Sequence, residues 1–153
     1  MNIKEIKKNG KIALANALVE IEKNPFDKKN LSLLTEAYNA KNGNILGITG
    51  PPGVGKSSLI KDLIKYYRDR KKTIAVIAVD PSSKKTKGAL LGDRIRLETN
   101  PSDNGVFIRS MAARDKLGGL ASITLSSAFL LNAIFDLTII ETVGVGQSET
   151  DIS

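Results

Sequence analysis

Between Gly50 and Ser58 the chain reads Gly-Pro-Pro-Gly-Val-Gly-Lys-Ser-Ser, and few folds can carry such a run. Gly50, Gly55, Lys56 and Ser57 occupy the fixed positions of the pattern G-x-x-x-x-G-K-[ST]. Glycines let the backbone curl until successive N–H groups point inward and form an anion nest. Lys56 is then placed to reach the β- and γ-phosphates of a nucleotide, and the Ser57 hydroxyl to sit on Mg²⁺. The following helix turns its positive end toward the phosphates. This arrangement needs a strand before the loop and a helix after it. Ile45-Leu46-Gly47-Ile48-Thr49 is a short apolar run that reads as a buried strand. Leu59, Ile60, Leu63, Ile64 and Tyr67 recur at helical spacing. A glycine-rich turn that binds nothing would not require that context. The expected phosphate site is therefore the whole loop: Gly50, Pro51, Pro52, Gly53, Val54, Gly55, Lys56, Ser57 and Ser58.

With 153 residues, 41% of them hydrophobic, the chain has the length and apolar content for one domain with a core. It contains neither cysteine nor histidine. That excludes a disulfide framework, a Cys/His zinc site and nucleophilic catalysis through Ser-His-Asp or Cys-His pairs. A hard cation held by oxygens stays open. No apolar run is long enough to span a bilayer, and the lysine-rich start lacks an apolar leader, so a cytoplasmic protein without membrane contact is expected. The net charge of +7 comes from lysines clustered at Lys4 to Lys11, Lys23 to Lys29, Lys61 to Lys72 and Lys84 to Lys87. These clusters lie on several elements without interleaved aromatic residues. That favours a solvated surface over one for nucleic acid or acidic lipid.

Residues 2 to 23 read as a helix with Leu14, Ala17, Leu18 and Ile21 on one face, weakened at Gly10 and ended by Asn24-Pro25. Asn30 suggests a cap for a second helix from Leu31 to Ala40, with Leu31, Leu34 and Tyr38 sharing a face. Lys41 to Asn44 is a turn. After the loop, a helix runs to about Arg70. Thr73 to Val79 is a doubly buried strand that ends at Asp80-Pro81. Residues 84 to 105 are polar and glycine-punctuated, with a short helix expected over Leu90 to Leu97. Val106 to Ile108 is a short strand and Arg109 to Asp115 a polar loop. A helix is expected from Leu120 to Phe135, and a fourth strand over Leu137 to Glu141. Strands joined by helical or long crossovers predict a mostly parallel sheet.

Two acidic residues then stand at strand ends. Asp80 is placed to hold Mg²⁺ or its waters, although an acid before proline also starts turns. Glu141 is the second acidic group, acting on the metal or its water. Gly144, three residues on, can bring its N–H onto a γ-phosphate with no side chain in the way. Gln147 either orients an attacking water or is an exposed loop amide.

Gly47 to Ser58, Ala78 to Ser83, Leu91-Gly92-Asp93-Arg94, Phe107 to Ser110, Leu117 to Leu120 and Glu141-Thr-Val-Gly-Val-Gly-Gln-Ser-Glu149 together resemble the MeaB/ArgK family. These are metallochaperone-type P-loop GTPases that assist adenosylcobalamin-dependent acyl-CoA mutases such as methylmalonyl-CoA mutase. The resemblance runs from about Leu14 to the last residue. It implies GTP or GDP at Gly50 to Ser58, with Mg²⁺ served by Ser57, Asp80 and Glu141. It places Asp93 in a first switch, and Glu141, Gly144 and Gln147 in a second. Lys56, Asp93, Glu141 and Gln147 are thus the expected catalytic residues. A mutase partner and a homodimer of the full-length family protein are implied; nucleic acid is not.

The expected architecture is a three-layer α/β/α P-loop NTPase fold. It divides into a helical segment, 1–43, and a GTPase domain, 44–153, truncated after the second switch. The family continues through an Asn-Lys-x-Asp guanine-reading motif and a dimerisation arm, and neither occurs here. An incomplete sheet with an exposed edge, marginally stable alone, follows. The rival readings are a non-catalytic nucleotide-binding fragment and a transport ATPase or kinase using the same loop. A nickel-insertion GTPase is disfavoured by the lack of Cys and His, and a signal-recognition GTPase by the sequence of the second switch.

Overall fold

A computed structural model describes residues 1–40, 42–80, 97, 99–112 and 122–143, without the side chains of Asp80, Ala112 and Val143. Of the helix expected over Leu90 to Leu97 only Leu97, which is buried, is described; Asp93, Gly144 and Gln147 lie outside the described residues. In chain order the elements are α1 (Ile3–Lys23), α2 (Lys28–Ala40), β1 (Asn44–Gly50), α3 (Lys56–Asp69), β2 (Ile74–Asp80), β3 (Val106–Ala112), α4 (Ser122–Asn132) and β4 (Leu137–Val143).

The four strands form one parallel sheet in the order β1-β4-β2-β3. Strand β4, last in sequence, inserts between the first two. Alternation along each strand sends side chains to opposite faces. Ile74 and Val76 of β2, Val106 and Ile108 of β3, and Leu137 and Ile139 of β4 pack with Ile60 and Ile64 of α3. Ala75, Ile77, Phe107, Met111 and Ile140 face the other way, into a core shared with α1, α2 and α4. Helices on both faces make the three layers of an α/β P-loop NTPase fold. They also explain why β2 is apolar at every position from Ile74 to Val79.

The helical lead-in is part of that core. Asn2 caps α1 through a reciprocal box with Glu5: each backbone N–H meets the other's side chain, at 2.9 and 3.0 Å. Gly10, at φ 73°, joins two helical stretches at a kink, yet Ile3 and Ile6 before it and Leu14, Leu18 and Ile21 after it are all buried. Arg109 of β3 donates to Glu22 of α1 (3.1 Å from Nε), tying the helix to the sheet. Arg68 of α3 forks onto both carboxylate oxygens of Asp103 at 2.9 Å, and Lys11 donates to the Pro101 and Asp103 carbonyls. The carboxylate of Asp136 accepts the Thr73 N–H at 2.7 Å and the hydroxyl at 2.9 Å, which aligns the entries of β2 and β4.

Four sequence expectations need correction. Strand β1 forms where expected, but five of its seven residues are exposed, because β4 is its only partner among the described residues. Strand β3 runs through Arg109 to Ala112, where a loop was expected, because its ladder with β2 continues to Asp80. Helix α2 starts at Lys28, with the Asp27 carboxylate accepting the Lys29 N–H at 2.9 Å. Asn30 does not cap it; its amide donates to the Glu20 and Asn24 carbonyls. Leu33 and Ala37 are its buried residues, while Leu31 and Tyr38 are exposed. Helix α4 ends at Asn132, before Phe135, where the chain must turn back into the sheet.

Candidate phosphate-binding site

Strand β1 delivers the phosphate loop to the carboxyl edge of the sheet. Gly50 is its last residue, level with Val143 of β4. Asp80 ends β2 level with Ala112, one residue beyond the Val79–Thr142 pair, so it also stands at the level of Val143. Gly50 and Asp80 therefore flank β4, with Cα atoms about 10 Å apart at ordinary strand spacing. Ligands of open parallel sheets bind outside this edge.

Local sequence explains the loop. Gly50, Gly53 and Gly55 take φ of 153°, 81° and 93°, which other residues adopt only with strain. Gly55 is the N-cap of α3 in the left-handed conformation, with no side-chain cap hydrogen bond. Its carbonyl accepts the Leu59 N–H at 3.0 Å, so the helix begins directly behind the loop. Pro51, Pro52, Gly53 and Val54 are exposed at the rim; Lys56 and Ser57 are half-buried and Ser58 is exposed. The Lys56 ammonium donates to the carbonyls of Gly50 at 2.7 Å and Pro51 at 2.8 Å. The cation is thus held across the mouth of the loop.

Glu141 lies within β4, two residues before its end, opposite Ile48 of β1 and Ala78 of β2. It is only 6% exposed. Its alternation partners Leu137 and Ile139 pack on the α3 face, so its carboxylate is on the side of the sheet where Lys56 and Ser57 begin α3. Strand order brings this together: β4 must enter next to β1 for Glu141 to approach the loop. Ser57 and Glu141 carry a hydroxyl and a carboxylate, oxygens of the kind a hard divalent cation takes. The ion pairs at Arg68–Asp103 and Arg109–Glu22, not foreseen from the sequence, brace the scaffold through contacts distant in sequence.

A family model described as methylmalonyl-CoA mutase-associated GTPase MeaB matches residues 12–153. A Pyrococcus horikoshii protein with a provisional GTPase name is 46% identical over 98% of this chain and 47% of its own length. The GTPase ArgK of Escherichia coli is 35% identical over 99% of this chain and 47% of its own. A fused isobutyryl-CoA mutase of Cupriavidus metallidurans is 42% identical over 92% of this chain and 13% of its own. The chain spans about half the length of the curated GTPases it matches. With the phosphate loop, the parallel sheet and these matches in agreement, the chain belongs to the MeaB family of P-loop GTPases.

Proposed function

We propose that this chain binds GTP and GDP at Gly50 to Ser58 and contributes the hydrolytic half of a GTPase that assists an adenosylcobalamin-dependent acyl-CoA mutase in the cytoplasm. The observation that carries the nucleotide reading is the loop itself. Three glycines at positive φ lead into an uncapped helix start, with Lys56 drawn across the opening. Loop N–H groups and the Lys56 ammonium would take charge from the β- and γ-phosphates as it develops in hydrolysis. Ser57, Asp80 and Glu141 would hold Mg²⁺, which when bound neutralises phosphate charge. Asp93 and Gln147 are assigned to ordering the attacking water, and Gly144 to sensing the γ-phosphate through its N–H. No arginine finger is evident in the sequence, so slow intrinsic turnover is expected. Support for a mutase partner comes from the family description and from the relative in which a similar segment belongs to a fused isobutyryl-CoA mutase. The homodimer of the full-length family is likewise carried over as a proposal.

Phosphate release from GTP and from ATP, compared in wild type and Lys56→Ala, tests the nucleotide half of this reading. Turnover that prefers GTP and disappears in the variant supports it. Binding without turnover by either nucleotide would move the non-catalytic fragment to the front. The partner half is tested by titrating an adenosylcobalamin-dependent acyl-CoA mutase with the chain, in GDP and in a non-hydrolysable GTP analogue. Absence of binding in both states would reject it.

A further inference from the structure

Where α4 packs on the sheet, three buried hydroxyls go unanswered. Thr124 and Ser127 of α4 are 1% and 0% exposed, and Thr138 of β4 is 0% exposed. None of the three hydroxyl oxygens has a hydrogen-bond partner among the described residues. Helical hydroxyls can donate to the carbonyl four residues back. Ser126 does so, to Ser122 at 3.0 Å, and Thr35 to Leu31 at 2.8 Å, both on exposed surface. Thr124 and Ser127 are turned into the protein and make no such bond. A hydroxyl taken out of water with no replacement bond is costly, and three of them at one packing layer point to a bound polar molecule.

Register and spacing bring these side chains together. Leu137 and Ile139 of β4 pack on the α3 side, so Thr138 between them is on the α4 side. Thr124 and Ser127, three residues apart, share the inner face of α4. The chain turns straight from α4 into β4: the Phe135 N–H bonds the Leu131 carbonyl at 2.8 Å, and the Gly43 N–H, next to the start of β1, bonds the Asn132 carbonyl at 3.2 Å. Ser127 lies about 7 Å back along the helix from Asn132, and two residues of strand cover about the same distance. Ser127 therefore comes level with the first half of β4, where Thr138 stands, and Thr124 follows nearly one turn further on. Side chains are short on both layers here. Ala75 of β2 is level with Thr138, and Ala128 adjoins Ser127; both are fully buried.

We propose that ordered water is bound between α4 and β4, bridging the hydroxyls of Ser127 and Thr138 and reaching that of Thr124. Hydroxyls donate and accept, as water does, and a buried water takes about three polar partners. An apolar occupant would leave all three hydroxyls unsatisfied, and a hard cation would need carboxylates or several carbonyls. By alternation the same strand presents Glu141 to α3 on its other face. The helix behind that strand is thus joined to it in part by exchangeable water bonds. The inference rests on burial and register and is independent of nucleotide binding.

The test is a crystal structure of the chain at a resolution that shows ordered water, with urea unfolding of Thr138→Val beside wild type. The expected result is a water within about 3.2 Å of the Ser127 and Thr138 hydroxyl oxygens. Thr138→Val keeps the shape of the side chain, so it should lose that water and unfold at a lower urea concentration. A dry contact would be relieved by the same change. Two results would overturn the proposal: no ordered water within reach of any two of the three hydroxyls, or a Thr138→Val midpoint at or above that of wild type.

Discussion

The Lys56 ammonium donates to the Gly50 carbonyl at 2.7 Å, closing a ring across the loop that would receive phosphate. A bound nucleotide must exchange this bond, and the one to Pro51, for its own oxygens. Lys56→Ala is therefore expected to lower GTP turnover by about a hundredfold or more, the usual scale for losing a donor to developing charge. Folding stability should change by less than about 1 kcal/mol, because one of the lost hydrogen bonds is exposed and the other only part-buried. Phosphate release and urea unfolding on the same sample separate the two effects.

Two glycine substitutions should differ in cause and size. Gly55→Ala meets nothing within 4 Å, so it carries only the strain of φ 93°, about 1–2 kcal/mol, together with weaker nucleotide binding. Gly43→Ala would drive its Cβ into the carbonyl oxygens of Phe135 and Asp136 at the entry to β4. It should cost more, about 2–4 kcal/mol, since backbone rather than a flexible side chain must move. Urea midpoints of the two variants give the comparison.

Acid should weaken the fold through two carboxylates. The Arg68 hydrogen bonds, with help from the Gly105 N–H and the charges of Arg68 and Lys11, hold the Asp103 carboxyl below its usual 3.8. The Thr73 N–H and hydroxyl, helped by the charge of Lys72, do the same for Asp136. Burial opposes both shifts. Folded values below unfolded ones mean that the stabilisation is present above about pH 4 and is lost as pH falls through the folded values. Urea unfolding at pH 7, 4 and 3 should show that loss. Asp103→Asn with Asp136→Asn should be less stable at pH 7 and show a flatter dependence below pH 4.

The pair between Arg109 and Glu22 joins β3 to α1 across 87 residues of sequence, with side chains 16% and 11% exposed. Removing Glu22 takes this carboxylate from the Arg109 guanidinium in a largely dry environment. Glu22→Ala should cost about 2–3 kcal/mol, with Arg109→Ala similar. A double-mutant cycle should return a coupling above about 1 kcal/mol. Additive single-variant losses would show that the residues act independently.

Much of the site was legible because its signals are local. Glycine spacing at Gly50, Gly53 and Gly55 specifies positive φ whatever surrounds it, and Leu59 to Tyr67 announces the helix behind the loop. The Thr73 to Val79 run marked a strand buried on both faces, as β2 is. Less was legible where neighbours decide. The apolar run at Ile45 to Thr49 reads the same in a central strand and in an edge strand. Leu31 and Tyr38 share a helix face, yet Leu33 and Ala37 are the residues turned to the core. Arg109 reads as a loop residue in sequence, and only its ladder with Ile77 and its bond to Glu22 place it in the sheet.

By itself the sequence determined the strand–loop–helix unit, the oxygen-only donor chemistry and the parallel character of the sheet. Each depends on residue type and short-range spacing. Tertiary structure alone decided that β4 enters between β1 and β2. That placement sets Glu141 on the α3 face, between β1 and β2, and leaves β1 with β4 as its one sheet neighbour among the described residues. The physical reason is that strand order is fixed by helices packing on two faces of a sheet, an interaction among residues far apart in the chain that no short window contains.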